Sequence, residues 1–491
     1  MKNLNKLASA LLALSVAFSG CDNDNGGNNP VTVQLKNHSK IPALVKKQSG
    51  FESLEIFSLI SSDDTLEQSK DYIFGGTADG LGVLRSQDGK GFVMLVNNED
   101  NFSVSRITLD ETFKPVKGEY MLNSDGGQWR LCSGTLATPQ EHGFGPMYLS
   151  VGESDVEAQT HGLNPYEANP TPTSSRALKG LGHWSGENAV PLHKDAFPGK
   201  TVIIMGEDAS DAVTGGQVVM YVSSTGDLNN GSQYVLRRTN QTQTELDMKE
   251  GQSYDVEFIK IDDYQTITGA AIQAKVDELK AIEFGRVEDL DYRKGSAANA
   301  REIYFNVTGQ DNKPEERTKF GRVYKLVLDG TDPLKGKLTP VLDGDLPNGK
   351  ANEFQNPDNI CVTQNYVYIE EDSNLYGNVK GTQHDGYIWQ YTIATGELKK
   401  VLELDHHRTA ADRDKYNRNE KTGEPAGDSK YGQWEYGALV DASDLLGIQD
   451  AFILCVQPHT WADARYKNPD KGTKATSVQA SQILVLKGLP R

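Results

Sequence analysis

Gly321-Arg322-Val323-Tyr324-Lys325-Leu326 and Gly386-Tyr387-Ile388-Trp389-Gln390-Tyr391 are two short runs in which a glycine precedes large apolar side chains. Apolar and polar side chains alternate in several runs of this kind along the chain, and a period of two is typical of β-strands. We interpret the two runs as equivalent strands of successive small sheets. Such repetition over a chain of 491 residues indicates a radial arrangement, the β-propeller.

Further β-type runs, bounded by Gly, Asn and Asp, recur along the whole chain. The clearest are Phe92–Val96, Val104–Leu109, Thr201–Met205, Val218–Ser223, Glu302–Val307, Arg322–Leu328, Tyr366–Glu370, Tyr387–Thr392, Ala451–Val456 and Gln482–Leu486. Helical spacing is confined to Ala270–Ile282, with a turn or two expected at Leu66–Tyr72. The sequence therefore predicts an all-β fold, a β-propeller with a few short helices in insertions. An array of two-sheet sandwiches is the alternative.

Two segments have the composition of insertions or long loops. Thr160–Ala177 is rich in Pro, Ser and Thr, and Asp405–Lys430 is densely charged. The pair His406-His407 lies in the second segment, where we expect a solvated loop. Because no domain boundary is evident, residues 35–491 are expected to form a single propeller domain.

The N-terminal residues 1–20 have the pattern of a secretory signal, with lysines before an apolar run too short to span a membrane. Ser19-Gly20-Cys21 resembles a bacterial lipobox, which implies cleavage before Cys21 and lipid on its thiol. Residues 21–34 are polar and rich in Gly and Asn, as expected of a flexible tether. We therefore expect an outer-membrane lipoprotein, periplasmic or surface-exposed, that contacts the membrane only through its lipid.

The charge balance limits the classes of partner. Fifty basic and 68 acidic side chains give a net charge of −18. This charge disfavours nucleic acid and anionic membrane surfaces. An anionic substrate would also be repelled unless bound cations reversed the local sign.

Cysteine usage points to one thiol in particular. Without Cys21 three cysteines remain, an odd number, so at least one is unpaired within the chain. Cys361 and Cys455 lie in apolar runs and are predicted to be strand core. Cys132 lies in a loop-like run, and Glu153 follows 21 positions later. Metal ligation would account for a thiol among carboxylates in an exported protein; the alternative is a small residue buried under a turn.

Polar clusters recur where apolar runs begin or end. They are Asn97-Asn98-Glu99-Asp100, Gly206-Glu207-Asp208, Arg286-Val287-Glu288-Asp289, Pro357-Asp358-Asn359, Glu370-Glu371-Asp372, Trp434-Glu435 and Gln457-Pro458-His459. Each alone is compatible with turn chemistry. In a propeller, however, blade-end loops converge on one channel, where clustered carboxylates need cations to stay ionised. Hard oxygen ligands suit calcium, and an added thiolate suits a transition metal such as iron.

Taken in order, these motifs resemble the PhoX-type alkaline phosphatase family, with gaps, from about Gly75 to Trp461. The matching elements are Asn97-Asn98-Glu99, Cys132-Ser133-Gly134 through Thr138-Pro139 to Glu153, His183 to Glu187, Arg286-Val287-Glu288, Pro357-Asp358-Asn359 with Asp372, Trp434-Glu435, and Gln457-Pro458-His459.

The resemblance implies a six-bladed, monomeric propeller that hydrolyses small phosphate monoesters at the cell envelope with a central cluster of iron and calcium ions. It makes Arg286 and Glu288 the catalytic pair, with Arg286 and His459 on the substrate. The metal ligands that it implies are Cys132 (on iron), Glu153, Glu288, Asp289, Glu99, Asp358, Asp372 and Glu435. Multivalent cations would neutralise phosphate oxygens and activate a nucleophile, and a guanidinium suits bidentate phosphate binding.

The chain departs from the family after Pro139, where Gln140-Glu141-His142-Gly143 replaces the family's Trp-Gly-Thr and Thr135 replaces a glycine. Two alternatives therefore stay open. One is a non-catalytic, calcium-stabilised propeller that binds a ligand or partner. The other is a phytase-like or lactonase-like propeller hydrolase.

Overall fold

The computed structural model describes residues 33–209, 214–310, 313–372, 384–407, 410–427, 429–475 and 477–491. Within these ranges the protein is all-β. The predicted signal, the lipobox with Cys21, and all but the last residues of the tether lie outside the described residues. Val33–Arg491 form one compact unit.

The strands are short and rich in β-branched and aromatic residues, which pack well on a pleated surface. In chain order they are β1 (Val45–Lys47), β2 (Glu55–Ser61), β3 (Ala78–Arg85), β4 (Phe92–Asn98), β5 (Ser103–Leu109), β6 (Pro115–Leu122), β7 (Arg130–Ala137), β8 (Met147–Glu153), β9 (Thr160–Leu163), β10 (Gly186–Pro191), β11 (Lys200–Glu207), β12 (Val218–Ser224), β13 (Ser232–Arg238), β14 (Tyr254–Lys260), β15 (Val287–Tyr292), β16 (Glu302–Val307), β17 (Arg322–Leu328), β18 (Lys335–Asp343), β19 (Pro357–Val362), β20 (Tyr366–Glu371), β21 (Tyr387–Thr392), β22 (Leu398–Leu404), β23 (Glu435–Asp441), β24 (Ala451–Gln457) and β25 (Gln482–Lys487).

Helices are few and short, as the sequence predicts. They are α1 (Ser124–Gly127), α2 (Pro139–His142), α3 (Gly269–Glu278), α4 (Ala410–Tyr416) and α5 (Ser443–Leu446). The predicted helix at Ala270–Ile282 is confirmed as α3. Leu66–Tyr72 forms an isolated bridge and turns rather than a helix.

Hydrogen bonds join the strands into five sheets, all of whose pairs are antiparallel. Their orders are β1-β22-β21-β20-β19, β10-β11-β12-β13-β14-β18-β17-β16-β15, β2-β25-β24-β23, β3-β4-β5-β6 and β7-β8-β9. The nine-stranded sheet is continuous because β14 pairs with β18. The N-terminal β2 pairs with the C-terminal β25, which joins the two ends of the fold.

Six strands that each begin a sheet or end one form a closed ring: β3, β7, β10, β15, β19 and β23. Each contacts the next, and β23 contacts β3. We call this set the inner ring. The arrangement is propeller-like, so the predicted fold class is confirmed at that level. The two runs that we interpret as equivalent strands are β17 and β21. Counted from the inner ring, β17 is the third strand after β15 and β16, and β21 is the third strand after β19 and β20.

Every strand of the inner ring carries a β-bulge close to its start. In each, two residues oppose one residue of the paired strand: Asp79-Gly80, Cys132-Ser133, Glu187-Asn188, Glu288-Asp289, Asp358-Asn359 and Gly437-Ala438. Bulges re-aim side chains and are frequent at barrel rims and active sites. Here they make the first bulge residue of five inner strands a projecting polar position, with Gly437 as the exception, and in four of those five the second residue is polar as well.

Candidate metal centre

The first residue of five bulges faces one cavity of about 1210 Å³ at the end of the inner ring where its strands begin. These residues are Asp79, Cys132, Glu187, Glu288 and Asp358. The sixth bulge begins with Gly437, where a Cβ would lie 2.5 Å from the carbonyl oxygen of Ala78. In that strand Glu435, two positions earlier, faces the cavity instead.

A second set of side chains reaches the cavity from the ends of the strands that pair with the inner ring. Glu99 follows β4, Glu153 ends β8, Asp208 follows β11, Asp372 follows β20 and His459 follows β24. Five of the six antiparallel hairpins therefore deliver polar groups from both of their strands to the same place. In the β15–β16 hairpin, the described residues that line the cavity come from the β15 side alone. The expectation that strand-end clusters converge agrees with this geometry.

Three groups in the cavity have ligand atoms close enough to share a cation. They are Asp79 with Glu99 and Cys132, Glu187 with Glu288 and Asp358, and Asp358 with Asp372 and Glu435, each within 4.8 Å. Beside the first group, Cys132 Sγ lies 3.1 Å from Glu153 Oε2. Carboxylate oxygens with one thiol are a donor set for hard cations plus one softer metal. The residues present therefore fit calcium and iron.

Two arginines lie among these acids. Arg286 contacts Asp208 through two hydrogen bonds, of 2.6 Å from Nε and 2.7 Å from Nη2, and its Nη2 lies 3.1 Å from Glu288. Its backbone is left-handed, with φ of 70°, a costly conformation that is concentrated at functional sites. Arg130 pairs with Glu99 at 3.1 Å and Asp100 at 2.9 Å, and its side chain is 40% exposed.

The acids outnumber their counter-charges. Among the described residues that line the cavity, eleven are Asp or Glu and six are Lys or Arg. Four of those six belong to its wall, which residues 417–433 and 474–479 contribute: Arg418, Lys421, Lys430 and Lys474. Among the described residues, the carboxylates away from this wall therefore have only Arg130, Arg286 and His459 as positively charged neighbours in the cavity.

Burial and like charge together raise the pKa of most of these carboxyls. Burial is the larger cause for Glu187 and Glu288, whose pKa lies well above the usual range, and neighbouring carboxylates add to it. The same causes raise the pKa of Glu153 and Glu435 to about 8. Asp208 is the opposite case: burial raises its pKa, but Arg286, together with Glu153 and Arg130, lowers it below the usual value. Such a set stays fully ionised only beside cations.

The pKa of both the thiol and the histidine is raised, which favours the neutral form of the thiol and the charged form of the histidine. Burial, then Glu153, raises the pKa of the Cys132 thiol well above its usual value, so a bound metal would be needed to keep it a thiolate. For His459 burial lowers the pKa, but the surrounding carboxylates, first of all Glu435 with Oε1 3.3 Å from Nε2 and then Asp100 and Glu99, together raise the pKa to about 10. His459 therefore faces the cavity as an imidazolium.

In four of the six bulges the second residue is also polar, and these four residues form a layer beneath the first ones. Asn359 Nδ2 donates to Asp79 Oδ1 at 3.0 Å and to Ser133 Oγ at 2.7 Å. Asn188 Nδ2 donates to Asp289 Oδ1 at 2.7 Å. We call these four residues, Ser133, Asn188, Asp289 and Asn359, the lower layer. It separates the acidic cavity from a second cavity of about 1390 Å³ farther along the inner ring.

The bulges themselves are held by amides from neighbouring sheets. Asn97 of β4 donates to the carbonyls of Cys132 and Ser133, at 2.5 and 3.2 Å. Asn306 of β16 donates in the same way to Asp358 and Asn359, at 2.8 and 3.0 Å. Each asparagine lies opposite the bulge of its own sheet and bonds the bulge of the next one.

The structure brings most of the sequence-predicted site residues together. The cavity is lined by Glu99, Cys132, Glu153, Arg286, Glu288, Asp358, Asp372, Glu435 and His459. Asp289 does not join them. It accepts from Asn188 and from the backbone of Leu290 and Ile360, because the second position of a bulge points into the lower layer.

Two local predictions were wrong. Cys132 lies in strand β7 at 4% exposure, not in a loop; the bulge gives the segment its loop-like pattern. His406 lies next to β22 and is buried against Trp434, with ring centroids 4.6 Å apart, so His406-His407 is not a solvated pair. Cys361 and Cys455 are strand core, as predicted.

Sequence reasoning missed Asp79 and Arg130 and did not single out Glu187 and Asp208 as site residues. One signal could have found Asp79. In Asp79-Gly80, Glu187-Asn188 and Asp358-Asn359, an acid is followed by Gly or Asn and then by an apolar strand. This pair at a strand start marks the first residue of three of the six bulges.

The fold and the cavity define a class of protein: a propeller-like protein whose cavity brings acidic side chains and one thiol into groups of potential metal ligands. Among solved structures, the chain is similar to Pseudomonas fluorescens PhoX in complex with vanadate, a transition-state analogue: TM-score 0.62, 13% identity, 92% of this chain and 98% of that chain covered. The chain therefore has a PhoX-like fold.

Other solved structures match with lower scores. The PQQ-bound aldose sugar dehydrogenase from Streptomyces coelicolor has a TM-score of 0.36 at 11% identity, with 88% of this chain and 98% of that chain covered. The Neurospora crassa Pan2 WD40 domain has a TM-score of 0.33 at 8% identity, covering 84% and 89%. No protein-family model matches the sequence, and no curated protein matches it. Among the described residues, none of the helices has the length and apolar character needed to cross a membrane.

Proposed function

We propose that this chain is a metal-dependent phosphomonoesterase whose iron and calcium ions are held in the acidic cavity. The observation that supports this most directly is the convergence of a thiol and buried carboxylates in three ligand groups. They lie in a fold similar to that of a PhoX solved with a transition-state analogue. Net charge is no obstacle, because bound cations would make the cavity attractive to phosphate.

We infer six blades. The nine-stranded sheet divides naturally at the β14–β18 pairing, since β10 and β15 both belong to the inner ring. That division gives one blade for each inner strand. Six blades also account for the six bulges: five have a polar first residue at the cavity, and in β23 Glu435 takes that place.

The ligand assignment follows the three groups. Cys132 would hold iron with Glu153, Glu99 and Asp79 nearby, and the remaining carboxylates would hold calcium. When bound, such ions neutralise phosphate oxygens and lower the pKa of a bound water. The lower layer orients the ligands, since Asn359 fixes Asp79 and the backbone N–H of Ser133 donates to Glu187 at 3.2 Å.

Two guanidinium groups are available for the substrate. Arg286 presents a planar fork that suits bidentate phosphate contact, and Asp208 holds that fork in place. Arg130 is more exposed and lies beside Glu153 at 3.9 Å, so it would contact the outer side of the same phosphate. The imidazolium of His459 would supply a further cationic donor, and a proton for the leaving group.

The test is hydrolysis of a chromogenic phosphate monoester by protein loaded with iron and calcium, with metal content measured on the same samples. We expect Arg286→Gln to lower kcat/KM on the order of 100-fold or more while metal content is kept. Arg293→Gln is the matched control, because its side chain is 26% exposed against 27% for Arg286 and lies away from the acidic cavity. We expect it to be neutral.

A fully metallated wild type with no turnover would exclude the phosphomonoesterase and favour the non-catalytic propeller. Turnover of a lactone or an inositol phosphate in its place would favour the other hydrolase classes. For localisation we propose the lipid-anchored form at the outer membrane, with the protein a monomer. Metabolic labelling with radioactive palmitate, lost in Cys21→Ser, tests the anchor.

A further inference from the structure

A second group of metal-ligand side chains lies outside the acidic cavity. Asp385, His406 and His407 bring one oxygen and two ring nitrogens within 4.8 Å of one another. Asp385 and His406 are buried, and the side chain of His407 is 27% exposed. Asp385 precedes β21 and the histidines follow β22, so adjacent strands of one sheet present all three.

The spacing suits a tetrahedral ion. His407 Nδ1 donates a hydrogen bond to Asp385 Oδ2 at 2.7 Å, a proton that a metal ion would replace, and His406 Nδ1 lies 3.9 Å from Asp385 Oδ1. Ligand atoms around a tetrahedral zinc ion are about 3.3 Å apart, a value that the two distances bracket. Small side-chain rotations would therefore bring the set into register.

Hydrogen bonds around Thr460 determine the tautomer of His406. Thr460 Oγ1 donates its single proton to the Tyr416 carbonyl at 2.6 Å and accepts from Trp434 Nε1 at 2.6 Å. At 3.0 Å, His406 Nε2 must then donate to the same oxygen. In the neutral ring this leaves a lone pair on Nδ1, the atom that faces Asp385.

That nitrogen has no hydrogen-bond partner among the described residues, although the His406 side chain is 0% exposed. The backbone of Lys430 also interacts with the His406 ring, but outside the geometry of a hydrogen bond to Nδ1. A carboxylate oxygen cannot satisfy a lone pair, since both are acceptors. A cation between them would satisfy both groups at once, and the bond from Nε2 to Thr460 is the outer contact typical of a metal-bound histidine.

We propose that Asp385, His406 and His407 bind a divalent transition metal, with Zn²⁺ as the ion that two imidazoles and one carboxylate suit best. Three protein ligands leave a fourth position, which the partial exposure of His407 makes accessible to water. The site is separate from the acidic cavity and does not depend on the proposed phosphomonoesterase activity.

Its position indicates a bracing role. Gly432 N donates to Asp385 Oδ1 at 3.3 Å, and His407 stacks on Tyr431 with centroids 3.9 Å apart. Gly432 and Gln433 line the acidic cavity, and Glu435 follows Gln433 by two positions. An ion on this site would fix the wall segment 429–434 against the sheet that carries Asp385.

The test measures Zn²⁺ binding by equilibrium dialysis in a Cys132→Ser background with excess calcium, which keeps zinc from the acidic cavity. We expect roughly one tight equivalent. His407→Gln and Asp385→Asn should weaken it by more than the roughly 10–100-fold that loss of an outer contact costs. His183→Gln is the matched control: His183 is also 27% exposed and also faces a carboxylate, Glu157 at 3.4 Å, but belongs to no ligand group of the described residues.

Hydrogen exchange supplies a second measurement on the same proteins. Zn²⁺ should slow amide exchange in residues 429–434 of the His183→Gln protein and leave the His407→Gln protein unchanged. Asp385→Asn keeps the acceptor for Gly432, so it also tests binding without removing that bond. Absence of a tight equivalent, or equal zinc affinity in the ligand variants and the control, would overturn the site whether or not the protein hydrolyses phosphate esters.

Discussion

Cys132 Sγ lies 3.1 Å from Glu153 Oε2, where the beginning of β7 pairs with the end of β8. The two residues are 21 positions apart, and the bulge at Cys132-Ser133 is what turns the thiol toward the carboxylate. The thiol donates a hydrogen bond to this carboxylate, and both groups would become ligands of a metal bound between them. The pair therefore marks where a softer metal would be held.

Replacing that thiol should remove one metal selectively. We expect Cys132→Ser protein to lose its iron and to keep most of its calcium, because serine is a poor ligand for a transition metal while the oxygen ligands are unchanged. Elemental analysis of purified protein measures both. Cys361→Ser, another buried strand thiol at 6% exposure, should leave iron content unchanged. Equal iron in the two variants would contradict the assignment of Cys132.

Metal-free protein should lose stability as the pH rises. Glu153 and Glu435 have pKa values of about 8 in the folded protein against 4.5 ordinarily, so the folded state holds protons that the unfolded state releases. Stability should therefore fall between about pH 4.5 and pH 8, by about 1.4 kcal/mol for each pKa unit that separates the two states. Denaturant unfolding at several pH values measures the slope.

Calcium should abolish most of that slope, since a bound cation stabilises the ionised carboxylates. A metal-free protein whose stability is flat or rises over the same pH interval would show that the carboxyls are already neutralised by other means.

Glu370 and Glu371 are adjacent, equally buried and expected to respond oppositely to the same change. Neither carboxyl oxygen of Glu370 has a hydrogen-bond partner among the described residues. Glu370 lies opposite the bulge of β19, the place that Asn97 and Asn306 occupy in their sheets. An amide there could donate to the bulge of β23, so Glu370→Gln should raise stability by about 1 kcal/mol above neutral pH.

The control is Glu371→Gln. Its carboxylate accepts from Gln355 N at 2.9 Å, Tyr387 N at 2.9 Å and Trp389 Nε1 at 2.8 Å, so an amide would oppose a donor with a donor. We expect a loss of about 1–3 kcal/mol. Thermal unfolding of both variants at one pH gives the comparison, and destabilisation by Glu370→Gln would refute the proposed equivalence with the two asparagines.

The lower layer should affect calcium binding without touching the ion. Asn359→Ala removes the donor to Asp79 and Ser133, which should cost about 1–3 kcal/mol of stability and lower calcium affinity roughly tenfold. Calcium titration followed by calorimetry measures the second effect. Asn365→Ala, which removes an exposed contact to the Arg491 carbonyl, should change neither quantity. Unaltered calcium affinity in Asn359→Ala would mean that Asp79 needs no support.

Much of the fold could be predicted from the sequence because strand period and turn residues are local signals. The runs read as strands appear as strands, among them β4, β17 and β24, and α3 is the longest helix of the described residues. The joining of β14 to β18 into one nine-stranded sheet had no such signal. It depends on two strand edges that are far apart in the chain.

The site was predictable only in part, for the same physical reason. Glu288 and Asp358 were found because acids at strand ends are visible in sequence. Asp289, one residue further, was misplaced because a bulge sends neighbouring side chains into different layers. Asp79 and Arg130 were missed because their partners Asn359 and Glu99 become neighbours only when the ring closes.

The sequence by itself determined the elements and the chemistry: short strands with alternating side chains, a net negative charge, an odd number of cysteines after Cys21 and carboxylates at strand boundaries. Tertiary structure alone decided which of those groups share a cavity. Closure of the inner ring sets the distances, since it joins β23 to β3, and the six bulges set the directions. Both arise from pairing between distant segments, and so does the group of Asp385, His406 and His407, whose members lie in loops that only the packed sheet brings together.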